Sequence, residues 1–194
     1  MRPPDIGPSR WESHLRALAR TRQDAPPAAA PAAFTRWTTD RAPAPAPPDA
    51  ALDDALWWGV LDTAIDPLPL LETAPDGPLF DQGTSRTIEV WTERELSGMH
   101  ALSWIARRRA RADVQSRLAA TARWHVQHTQ PDNATNRPWA AHVFLQLSFE
   151  HEDHDARLYA ETLVHNCQTT HGVPDSLSGL ILLDSADALR EAFA

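Results

Sequence analysis

Imidazole is the side chain best suited to ligating a transition metal or moving a proton near neutral pH. This chain carries nine, eight of them between His100 and His171. The densest chemistry sits in WHVQHTQPDNATNRPWAAH, Trp124 to His142. His125 and His128 stand at i,i+3, a spacing that sets two side chains on one side of a helix. Asp132 follows in the loop, and His142 falls one turn into the facing helix. Such a set offers the nitrogen and oxygen ligands that zinc or iron takes. HExxH, paired cysteines and other diagnostic ligand patterns are absent. The same corner adds the amides of Asn133 and Asn136 and the indole of Trp139. Together with His125, His128, Asp132 and His142 they form a candidate binding surface that needs no metal.

Two other groupings invite chemistry. His165, Cys167 and His171 cluster near the end of one helix, but Cys167 projects about 200° around the axis from His165. A nucleophilic cysteine needs a nearby base and an electropositive setting. Cys167 lies instead on an apolar stripe, which makes it a buried structural residue. His151-Glu152-Asp153-His154-Asp155 reads as a solvated turn whose acids favour a helix start. Carboxylate chemistry is the third possibility. Asp184 shares an apolar stripe with Leu177, Leu180, Ile181 and Ala188, where an unpaired acid is costly; Asp132 and Asp175 are separate candidates for one shared pocket. GxSxG, Walker and GxGxxG patterns are missing, and seven glycines leave little for phosphate-cradling loops.

The elements that position these groups are helices. Leu52, Leu56, Val60 and Ala64 repeat at helical spacing after a capping Asp49, and Pro67 and Pro69 end that helix. An irregular loop spans about residues 67–90, with turn signals at Pro75-Asp76-Gly77-Pro78 and Asp81-Gln82-Gly83. Its Leu70, Leu71, Leu79 and Phe80 suit a cover over the core. Thr92 and Glu95 have the spacing of a capping box, with Trp91 and Leu96 as a hydrophobic staple. Leu96, Met99, Leu102, Ser103 and Ile105 then line one side, and Arg107 to Arg111 close the helix as a solvated end. Asp113 caps the next, with Val114, Leu118, Ala122, His125 and Thr129 on one stripe. Asn136 and Pro138 open a helix burying Val143, Phe144 and Leu147. Another follows with Ala156, Tyr159, Ala160, Leu163 and Cys167 inward. Pro174 and Asp175 start the last. The expected fold is all-α: five to seven helices in antiparallel hairpins, from residue 49 to residue 194.

Residues 1–48 differ in kind. The first fifty residues hold ten of the 17 prolines, and stretches such as RAPAPAPPDA read as a mobile, disordered Pro/Ala-rich arm. Within it, residues 9–23 form one short amphipathic helix, with a Ser9–Glu12 capping box and Trp11, Leu15 and Leu18 on one face. Its arginines suit a membrane surface or a partner groove, and equally suit docking on the chain's own acidic domain. Phe34 and Trp37 are candidate anchors for the linker.

Composition bounds the function. All 18 basic residues are arginine, and the net charge of −8 argues against a general nucleic-acid binder. Residues 49–91 carry nine acids against Arg86 alone. Mean hydropathy is −0.43, and no window approaches the roughly 18 apolar residues of a membrane span. MRPPDIGPSRW lacks the apolar core of a signal peptide, and the single cysteine fits a reducing compartment, so a cytoplasmic location is expected.

QPDNATNRPWA followed by an apolar helix, set among hairpins, resembles the inner turns of α/α-toroid proteins of the terpene-cyclase-like and glycosidase-like families. The likeness covers about residues 92–194 and carries neither the DxDD nor the QW-type motif of those families. It implies architecture only: a partial toroid completed by oligomerisation into a homo-oligomer. The leading expectation is a protein- or ligand-binding module without catalysis and without a cofactor. A metal-dependent enzyme or metal-binding protein using zinc or iron at His125, His128, Asp132 and His142 is the alternative.

Overall fold

Apolar residues at three- and four-residue spacing run from Trp11 to Leu189, and where they do the chain is helical. The structure is a computed structural model that describes residues 7–25, 28–47, 54–83, 87–130, 137–169 and 175–194. Among the described residues there is no strand. The helices are α1 (Pro8–Arg20), α2 (Ala32–Thr39), α3 (Ala55–Leu61), α4 (Ile88–Arg108), α5 (Ala112–His128), α6 (Ala141–His151), α7 (His154–Thr169) and α8 (Ser176–Ala192). No helix among these residues is long and apolar enough to cross a membrane. The chain forms two compact units, one of residues 1–28 and 136–194, the other of residues 29–135. The expected domain start at Asp49 falls outside the described residues.

The first unit packs α1 on α8 and joins α6 to α7 as a hairpin. Trp11, Leu15 and Ala19 of α1 are buried, so the stripe expected of a mobile arm is covered rather than free. Arg16 donates to Asp187 at 2.7 Å. The buried Arg22 donates to the carbonyl of Cys167 at 2.8 Å, satisfying one of the last acceptors of α7. Pro8 starts α1 behind Gly7 without a side-chain cap, so the Ser9–Glu12 capping box is not formed. Glu12 instead accepts from Arg16 one turn on, at 3.0 Å. In the hairpin, Phe144 and Tyr159 stack at 4.3 Å. Glu152 takes the left-handed conformation that ends α6, and Asp153 accepts the Ala156 amide at 2.9 Å to begin α7. Asp175 caps α8 through the Ser178 amide at 2.6 Å.

The second unit is built on α4. Phe34 and Trp37, on α2, are fully buried against Trp57 and Trp104, with ring centroids 4.7 and 4.9 Å apart. The proline-rich stretch therefore carries a second packed helix, whose two aromatic rings bury apolar area against α3 and α4. The Asp54 carboxylate accepts the Ala33 amide at 3.2 Å, supplying α2 with a cap from a distant residue, and burial raises its pKa above the usual carboxylate range. Helix α3 ends at Leu61, before the Ala64 that its apolar repeat includes. Arg109 donates to the carbonyls of Gly59, Asp62 and Ile65, which replaces a further helical turn with side-chain partners. The basic run is thus only partly solvated. Arg109 reaches back to α3, and Ala110 adopts a left-handed φ of 48° in the turn to α5.

These contacts predict that the amino-terminal segment is structural. Leu15→Ala should lower unfolding free energy by about 2–5 kcal/mol in urea denaturation. A loss below about 0.5 kcal/mol, the size expected of a surface change, would return the segment to a mobile arm.

Candidate functional site

Helix α4 carries Trp91, Glu95 and Gly98 at helical spacing, and all three are buried. Glu95 sits mid-helix, since α4 begins at Ile88 behind Thr87, and Thr92 bonds back to the carbonyl of Ile88 at 2.7 Å. The expected capping box at Thr92 is therefore not formed. Glu95 has no solvent exposure, and its carboxylate accepts the backbone amides of Leu79, at 2.9 Å, and Phe80. The Trp91 indole N–H donates to the carbonyl of Phe80 at 3.0 Å. At Gly98 a Cβ would come within 2.8 Å of the Phe80 ring, so only glycine lets the segment lie this close to the helix. Leu79 and Phe80 are buried as a cover over α4, as the sequence suggests; Leu70 and Leu71 are half-buried.

Helix α5 grips the same segment from the other side. His125, also without exposure, faces Glu95 Oε2 with Nε2 at 3.1 Å. Its Nδ1 faces the Thr129 hydroxyl at 3.1 Å, and that hydroxyl donates to the carbonyl of His125. Arg117 donates to the carbonyls of Pro75, Gly77 and Pro78 at 2.8, 2.8 and 2.6 Å. Thr121 adds a bond to the Gly77 carbonyl at 3.1 Å. Burial lowers the pKa of the Arg117 guanidinium, and the nearby charges of Glu95 and Asp76 oppose that shift. A fan of carbonyls suits a planar guanidinium with several fixed N–H groups.

Above this network lie two clefts. One, of about 610 Å³, is lined by Leu68, Leu71, Thr73, Pro75 and Asp76 on one side and by Asp113, Ser116, Arg117 and Ala120 of α5 on the other. The second, of about 520 Å³, runs between Asp76 and Gly77 and the α5 residues Ala120, Arg123, Trp124, Gln127 and His128. The α5 positions recur every three or four residues, so one helical stripe walls both clefts, and Asp76 and Ala120 belong to both. Arg111 donates to Asp113 at 2.7 and 2.8 Å and holds its carboxyl down to about 2.

The histidine corner divides. His125 turns inward with both ring nitrogens on protein partners, while the exposed His128 stacks on Trp124 at 4.8 Å, so the two do not converge. Trp139 and His142 are buried in the other compact unit. Asp132, Asn133 and Asn136 lie outside the described residues, and so does His171. Among the described residues no group of three His, Cys, Asp or Glu side chains is placed to hold a metal ion. In the first unit, Cys167 is buried, and its thiol contacts the carbonyl of Val164 at 3.1 Å. Burial pushes that thiol up to about 11, with Arg22 opposing. His165 is exposed, and Asp184 is buried in α8.

Sequence reasoning missed Glu95 as an anchor, together with Arg117 and Gly98. The available signal was an acid at helical spacing between Trp91 and Gly98, on a face too apolar for a solvated carboxylate. Arg117 gave no such signal, because its acceptors are backbone carbonyls about forty residues away in sequence.

Glu95→Gln keeps the size of the side chain but leaves a buried amide or imidazole poorly matched. It should cost about 2–5 kcal/mol in denaturation and speed hydrogen exchange at Leu79 and Phe80. Unchanged exchange at those two amides would remove the anchor role. Cys167 should resist a thiol-reactive disulfide reagent at pH 8 in the folded protein and react on unfolding, because the thiolate is scarce when the pKa is near 11. Rapid labelling of the native protein would contradict its burial.

Compared with known protein families, with curated proteins and with solved structures, the chain matches none.

Proposed function

We propose that the chain is a binding module without catalytic chemistry of its own, and that its ligand is a small molecule with an apolar body held between α5 and residues 68–77. The observation that carries this reading is the cleft of about 610 Å³, a volume within the range of about 300–1,000 Å³ usual for small-molecule sites. Leu68, Leu71, Pro75 and Ala120 give it an apolar lining, and Asp76, Asp113 and Ser116 supply polar groups at its edge. Its loop wall is fixed from beneath by Glu95, Arg117 and Trp91, so little ordering is needed when a ligand enters. The pair best suited to proton transfer, Glu95 and His125, has no solvent exposure and is spent on holding that wall. The metal-dependent alternative gains nothing from the described residues, because both nitrogens of His125 are engaged within the protein.

Ala120 is half-buried at the shared edge of both clefts, so Ala120→Trp should fill them while leaving the core intact. A fragment library screened by ligand-observed NMR should give binders that the wild type retains and Ala120→Trp loses, at an unchanged unfolding midpoint. Binders indifferent to this substitution, or none at all, would reject the cleft as the site.

A further inference from the structure

The second cleft has a wall of a particular kind. Trp124 meets the ring of Trp91 edge-on at 6.2 Å and that of His125 at 5.2 Å, and Trp91 is itself tied to the carbonyl of Phe80. On this braced indole lies His128, with an interplanar angle of 15°. His128 Nδ1 stands 2.9 Å from the carbonyl of Trp124, which can only accept, so Nδ1 carries a proton and the ring orientation is fixed. The imidazole is exposed and is one of the residues that line the cleft.

At the junction stands the carboxylate of Asp76. Asp76 is exposed and lines both clefts, whereas Asp113 in the first is paired with Arg111. The guanidinium of Arg117, held on loop carbonyls, also lines the first cleft within electrostatic reach of Asp76. Arg123 lines only the second cleft. A ligand that keeps a ring on His128 and extends over the apolar lining of the first cleft spans the two residues common to both, Asp76 and Ala120.

From this arrangement we infer that the clefts together take an arylalkylamine: a planar aromatic ring stacked on His128, with a protonated amine paired to Asp76. The inference rests on the cleft reading above and names the ligand class for it. Aromatic rings favour offset stacking, and a carboxylate–ammonium contact is among the stronger hydrogen bonds.

Tryptamine is the probe, with indole and indole-3-acetate as comparisons, each titrated calorimetrically into the full chain. Tryptamine should bind more tightly than either comparison. Asp76→Asn should weaken tryptamine about tenfold and leave indole unchanged, as expected for one charge-assisted contact. His128→Ala should weaken tryptamine and indole alike, and His128→Phe should restore both. Unfolding midpoints of all variants are expected to stay at the wild-type value. Tighter binding of indole-3-acetate, or tryptamine binding indifferent to Asp76→Asn and His128→Ala, overturns the arylalkylamine assignment. If fragments are still lost in Ala120→Trp, the cleft reading survives that failure. If Ala120→Trp affects no ligand, both readings fall.

Discussion

A carboxylate with no solvent exposure is the constraint on which the second unit depends. An ionised Glu95 left alone in an apolar helix interface would cost several kcal/mol or more. It is tolerable because two backbone amides and an imidazole converge on it. Those partners come from a segment with almost no regular structure and from a neighbouring helix. Satisfying one acid therefore fixes the position of residues 79–80, the rotation of α5 at His125 and the face that α4 turns inward. Trp91 and Gly98 are consequences of the same arrangement, one reaching up to a carbonyl and the other making room for a ring.

The grip on this segment is shared between opposite charges. Glu95 takes amide hydrogens at residues 79–80, and Arg117 takes carbonyl oxygens at residues 75–78. Irregular backbone packed against helices lacks the ladder or helical bonds that would satisfy its polar groups. Here two side chains supply that deficit in both senses. A long irregular connection is uncommon in a small helical unit unless it has a role, and the outer face of this one forms the clefts.

Much of the fold was legible from apolar spacing. Val114, Leu118, Ala122 and His125 fall on one stripe and are buried; so are Ala156, Tyr159, Ala160, Leu163 and Cys167. Spacing alone could not place the helix ends. Thr92–Glu95 imitates a capping box, yet a glutamate that can reach distant amides does so from mid-helix, and the helix starts one turn earlier. Arg109 cuts α3 short by binding its carbonyls, and nothing near α3 in sequence announces that. Composition misdirected the reading of residues 7–47. Proline and alanine suggested a detached arm, whereas a few aromatics and leucines decide that α1 and α2 are packed. Of the candidate corner, the stripe correctly turned His125 inward, but its partner is an acid that local pattern had assigned to a helix cap.

The loop that walls the clefts is held almost wholly by its backbone. Arg117 and Glu95 touch carbonyls and amides that every residue type except proline provides in full. The side chains of Thr73, Pro75 and Asp76 line the clefts; of the two anchors, Glu95 is buried beneath, while Arg117 reaches the carbonyls from the wall of the first cleft. Shape and recognition are thereby uncoupled. Leu71, Pro75 and Asp76 can be exchanged one at a time without removing a side-chain bond that holds the wall, whereas Thr73 and Arg117 are part of it. The second unit thus has the makings of a scaffold whose lining could be rewritten at those three positions while its frame stays fixed.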